Sequence, residues 1–124
     1  MRNVILVCVL AALGYAISST VISSTASSRP RVEHGDFSRV TEAYESDVVL
    51  FTTTTCVYCA KEKAFLDSHG VAFREVRVDL SSDDRDYLLE ELDRDSIPVL
   101  VARDQLLAGF DESELTRFFD GLRR

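Results

Sequence analysis

Two cysteines three positions apart, in Cys56-Val57-Tyr58-Cys59, are the residues of this chain best suited to covalent chemistry. A thiolate attacks disulfide sulfur readily, and a second thiol one helical turn away can complete the exchange. The pair follows Val48 to Phe51, a short apolar run suited to a buried strand, and leads into Cys59 to Ser68, which reads as a helix. A strand-to-helix junction would put the Cys56 sulfur beside unpaired backbone N–H groups and the positive end of the helix dipole. Both favour thiolate over thiol. Cys59 would share that helix face and lie deeper. The expectation is a dithiol cycle in which Cys56 attacks and Cys59 resolves.

A C-x-x-C pair can also be half of a zinc site. Structural zinc needs four ligands, and the chain has no second pair; His34 and His69 stand at no usual ligand spacing. No metal is expected. Cys8 lies in an apolar run and reads as a small apolar residue. Three cysteines do not make a disulfide scaffold.

The elements that must position the pair follow from periodicity. Phe37, Val40 and Tyr44 recur at helical spacing after Asp36, a plausible cap. Gly70 can end the helix that begins at the cysteines, and Val71 to Val78 reads as a strand. Ser81 to Asp84 signals a helix start, with Leu88, Leu89 and Leu92 as its apolar stripe. Val99 to Ala102 and Gln105 to Leu107 flank Arg103-Asp104 and suggest a hairpin. Gly109 breaks it, and Asp111 with Glu114 makes a capping-box pattern before the stripe Leu115, Phe118, Phe119, Leu122. Strands joined through a helix should be parallel, with a right-handed crossover. Lys61 and Lys63 are expected to point to solvent.

Ahead of this domain, placed at residues 36–124, Val4 to Ile17 is unbroken apolar and small sequence, extended through Ile22. Only Arg2 is charged before residue 29. Residues 1–22 read as a membrane anchor, with the side undetermined by flanking charge, or as an export signal cleaved near Ser24-Thr25-Ala26. Residues 23–35, rich in Ser and Thr with Arg29-Pro30-Arg31, read as a tether. Across the 124 residues, 21 Asp and Glu outweigh 14 Lys and Arg, a net charge of -7 that argues against a nucleic-acid partner.

Taken together, the order of strand, Cys-x-Tyr-Cys, helix, strand, helix, Ile-Pro, hairpin, Gly-Phe-Asp and helix from Val48 to Leu122 resembles a glutaredoxin. The resemblance implies an α/β, thioredoxin-like three-layer fold with a four-stranded mixed sheet, preceded here by an N-terminal hydrophobic helix. It implies that Pro98 is the family's cis-proline, presenting the Ile97 backbone to a bound thiol peptide. It implies that Gly109 and Asp111 bind the γ-glutamyl end of glutathione, and that Tyr58 walls the groove. Val57 stands where the family has proline, Thr53 where a basic residue is common, and Ala108 where the first glycine of a pair is usual. The implied activity is reduction of protein disulfides or glutathione mixed disulfides. Glutathione serves as co-substrate, or a thioredoxin-reductase-like protein serves as reductant. The alternatives are a glutathione-dependent iron–sulfur cluster carrier, or an exported disulfide oxidase or isomerase.

Overall fold

Val48-Val49-Leu50-Phe51-Thr52 is buried at all five positions. A strand buried on both faces must lie inside a sheet covered on both sides. That is its place in the computed structural model, which describes residues 31–123. The elements are β1 (Val32–His34), α1 (Ser38–Ala43), β2 (Val48–Thr52), α2 (Val57–Ser68), β3 (Arg74–Arg77), α3 (Ser82–Glu90), β4 (Val99–Ala102), β5 (Gln105–Ala108) and α4 (Glu112–Leu122). The sheet order is β1-β5-β4-β2-β3. Strands β2 and β3 are parallel across the α2 crossover, and β4 and β5 form the expected antiparallel hairpin.

The sheet has five strands, not the four expected. The fifth is β1, which lies inside the stretch read as tether and pairs antiparallel with β5, Val32 opposite Leu107. It covers the open edge of β5, whose N–H and C=O groups would otherwise be unpaired. The Ala108 N–H donates to the Arg31 carbonyl at 2.8 Å. Glu33 also pairs with the buried guanidinium of Arg94, which follows α3. A three-residue strand with one apolar residue carries no alternation to read. Strand β3 is shorter than expected, since residues 71–73 are irregular. The expected hydrophobic helix at residues 4–22, Cys8, and tether residues 23–30 lie outside the described residues. No helix among the described residues is long and apolar enough to cross a membrane.

The period of two sorts the core. Val49, Phe51, Val99, Val101 and Leu106 face Val40 of α1 and Leu88 of α3. Val48, Leu50, Leu100, Ala102 and Leu107 face Phe65 and Leu66 of α2 and Leu115 and Phe118 of α4. Gly70 takes φ +66° just after α2, a conformation that favours glycine, as the expected stop requires.

One residue of the buried face of α2 is out of keeping with it. Glu62 lies among Cys59, Phe65 and Leu66, is 0 % exposed, and neither carboxylate oxygen has a hydrogen-bond partner. Burial pushes its pKa from 4.5 up to about 8. The folded chain therefore holds a proton that the unfolded chain releases between these values. The contribution of Glu62 to stability is therefore greatest below pH 4.5, falls as pH rises toward 8, and levels off above it. Glu62→Leu should raise unfolding free energy at pH 8.5 by about 2–4 kcal/mol, with the gain shrinking toward pH 5. Urea unfolding at the two pH values checks this.

Candidate active site

The junction between β2 and α2 is pinned at several points. The Val78 N–H donates to the Thr52 carbonyl at 2.9 Å, and the Thr54 N–H donates to Asp79 Oδ2 at 3.0 Å. Hydrogen bonds from Thr54 hold the Asp79 carboxyl below the usual range. Thr52 Oγ1 and Lys63 Nζ both donate to Glu75 Oε1, each at 2.8 Å. The Lys63 bond is the main reason the Glu75 carboxyl is also held low. Lys63 is thus engaged in an ion pair with β3, not directed freely to solvent.

Cys56 caps the helix that this loop launches. Its backbone is extended, with φ -81° and ψ 110°, and its sulfur accepts the Cys59 N–H at 3.1 Å. An N-cap acceptor normally satisfies an orphan donor of the first turn, and here the acceptor is sulfur. The two cysteines are disulfide-bonded, with Cα atoms 5.2 Å apart. Cys56 is half-buried and Cys59 is 1 % exposed. The outer cysteine is open to a partner and the inner one is not, as a nucleophile and a resolving thiol would need.

A groove of about 340 Å³ lies beside the pair, lined by Arg31, Tyr58, Ile97, Pro98, Gly109 and Phe110. The Ile97–Pro98 bond is cis, as the resemblance implied. The Gly109 N–H donates to the Pro98 carbonyl at 2.8 Å, joining the two sides of the floor. Gly109 has φ +81°, which a side chain would strain. Tyr58 is well exposed and stacks near Phe110, with centroids 6.4 Å apart and planes at 28°. Lys61 Nζ sits 5.3 Å from the Tyr58 ring centre.

Asp111 lies one residue past the groove and caps α4. Its Oδ1 accepts the N–H groups of Ser113 and Glu114 at 3.0 and 3.1 Å and the Ser113 hydroxyl at 2.6 Å. The Ser113 bond leads the causes that hold its carboxyl low, and Arg31 adds to them. Arg31 Nη1 approaches Asp111 Oδ2 at 3.3 Å. The Glu114 carboxylate accepts instead from Arg117, at 2.9 Å.

The structure therefore brings Cys56, Cys59, Tyr58, Ile97, Pro98 and Gly109 to one place, with Asp111 tied to it through Arg31. Sequence reasoning missed Arg31, Phe110 and Glu62. Arg31 carries no local signal, since its position depends on the pairing of β1 with β5. Glu62 does carry one, for it falls three residues after Cys59 on the apolar stripe of its helix. A larger hollow of about 410 Å³ is lined in part by Ser46, Asp47 and Arg103. Ser46 and Asp47 precede β2 whereas Cys56 follows it, so this hollow sits at the far end of the strand. Among the described residues no cluster of three His, Cys, Asp or Glu side chains is placed to hold a metal.

Residues 48–107 match the glutaredoxin family model. Glutaredoxin 3 of Escherichia coli K12 is 31% identical over 67 residues, covering 54% of this chain and 81% of that protein. Among solved structures, the thioredoxin-like protein BC3987 superposes with a TM-score of 0.54 at 30% identity, over 56% of this chain and 96% of the other. A glutaredoxin of Archaeoglobus fulgidus gives 0.52 at 26%, over 57% and 83%.

Proposed function

The chain belongs to the glutaredoxin family of thiol–disulfide oxidoreductases, and on that premise we propose that it works as a dithiol reductase through Cys56 and Cys59. The Cys59 N–H directed at the Cys56 sulfur carries this reading. The same contact, together with the helix dipole, favours negative charge on that sulfur once the disulfide is reduced.

In the forward cycle, the Cys56 thiolate attacks one sulfur of a substrate disulfide. A Cys56–substrate bond forms, and the other substrate sulfur leaves as thiolate. Cys59 then loses its proton and attacks the Cys56 sulfur. The Cys56–Cys59 bond forms, the substrate leaves as a second thiolate, and two electrons have passed from the cysteines to the substrate. A thiol reductant reverses the sequence. Glutathione is the co-substrate we favour, because the groove combines an aromatic wall, the cis Ile97–Pro98 segment and a cation. Thr53 offers no charge to a carboxylate. In this chain Arg31 fills that need, reaching the groove from the strand edge. Its partner Asp111 would take the ligand's amino group while Arg31 takes a carboxylate. The apolar run at residues 4–22 supports attachment of the domain to a membrane.

Turnover of hydroxyethyl disulfide with glutathione, glutathione reductase and NADPH tests the reading. Cys56→Ser should lower the rate by about a thousandfold. Cys59→Ser should still turn over glutathione mixed disulfides but trap protein disulfides as stable adducts at Cys56. Full activity in Cys56→Ser would refute the mechanism. Arg31→Ala should raise KM for glutathione about tenfold with kcat little changed, as expected for loss of one charge-assisted contact. Reduction by thioredoxin reductase, with none by glutathione, would instead place the reductant in that class.

A further inference from the structure

We propose that Glu62 is the proton partner of Cys59, giving a proton to the Cys59 sulfur when the disulfide opens and taking it back when the disulfide closes. This rests on the dithiol reading above.

Cys59 and Glu62 are three residues apart on one helix and are both fully buried, on the face of α2 that covers the sheet. Residues at that spacing are neighbours, and a long helical side chain leans back toward the turn before it. The carboxyl of Glu62 therefore reaches toward the turn that carries Cys59. Nothing else holds it there, since both oxygens lack a hydrogen-bond partner. A buried carboxyl with no structural partner is a liability to the fold, and a place beside a sulfur that gains and loses a proton gives it a use.

The surroundings leave Glu62 as the proton source. Strands β2, β4 and β5 bring no ionisable side chain to this face, being Val-Val-Leu-Phe-Thr, Val-Leu-Val-Ala and Gln-Leu-Leu-Ala. From β3, Glu75 is bound by Lys63 and Thr52, and Arg74 and Arg77 are exposed. On α4, Glu114 pairs with Arg117, and Glu112 and Asp120 are exposed. On α2 itself, Lys61 lies by Tyr58, and the His69 ring stacks on Phe65 past the helix end. Burial keeps the carboxyl protonated through neutral pH while the disulfide is intact.

An incoming thiolate attacks the Cys56 sulfur and forms a bond to it. The Cys56–Cys59 bond breaks, and its electron pair goes to the Cys59 sulfur. That sulfur takes the Glu62 proton, leaving a thiol beside a carboxylate. When Cys59 later attacks a mixed disulfide at Cys56, the proton returns to Glu62 and the substrate leaves as thiolate.

The test is the rate at which dithiothreitol reduces the disulfide of the full chain, followed from pH 5.5 to 9.5 and corrected for the reductant's thiolate fraction. The corrected rate of the native protein should be high at low pH and fall as Glu62 deprotonates near pH 8. Glu62→Gln should be about tenfold to a hundredfold slower below pH 7, with no such fall. Glu62→Leu, which removes the buried polar group and so should fold at least as well, should behave like Glu62→Gln. Profiles of both variants that superimpose on the native one would overturn the proposal and leave the dithiol reading standing. A native disulfide that dithiothreitol fails to open would instead overturn the dithiol reading itself.

Discussion

The contact between the Cys59 N–H and the Cys56 sulfur, 3.1 Å long, requires a helix to begin at Cys56 and nowhere else. A helix start is a place where backbone donors lack partners, and a sulfur at the cap is what they meet. For that start to be fixed, β2 must be buried along its length and the short loop after it must be tied down. The Val78 N–H, donating to the Thr52 carbonyl, and the Asp79 carboxylate supply those ties from the segment just after β3. The cap also separates the two sulfurs by environment. Cys56 is left at the mouth of the junction, and Cys59 is carried into the covered face of the sheet. Asymmetry of this kind lets two chemically identical thiols take different parts in one reaction.

The groove depends on the same sheet at its other strands. Pro98 opens β4 and Gly109 closes β5, so the hairpin delivers both to the end of the sheet where the cysteines lie, linked by one backbone hydrogen bond. Strand β1 adds the charge. By covering the edge of β5 it brings Arg31 against Asp111, and an edge that would otherwise invite aggregation becomes the support for a polar side of the site.

Much of this was legible in the sequence because it is written in periodicity and caps. The runs at Val48 and Val99, the glycines at 70 and 109, and the Asp111 cap each state a local preference that the fold obeys. The cysteine pair could be placed because its neighbours announce a strand and then a helix. What escaped depends on contacts distant along the chain. Three residues, Val32 to His34, become a strand only because β5 offers an edge, and no local pattern announces that. Arg31 enters the site through the same pairing. Phe110 was passed over although it stands between Gly109 and Asp111, since a turn residue announces neither its stacking partner nor its direction. Glu62 differs from these. Its spacing from Cys59 and Leu66 marks it as a core position, and its charge hid it by suggesting the solvent side.

The central claim is that the helix start makes Cys56, and not Cys59, the reactive thiolate. The most direct measurement is the pH dependence of iodoacetamide alkylation of the reduced protein, with the modified cysteine identified by peptide mapping. The account predicts that Cys56 is alkylated first and that its rate reaches half-maximum well below the ordinary thiol value of about 8.5. Alkylation of Cys59 first, or a Cys56 midpoint at or above that value, would contradict it.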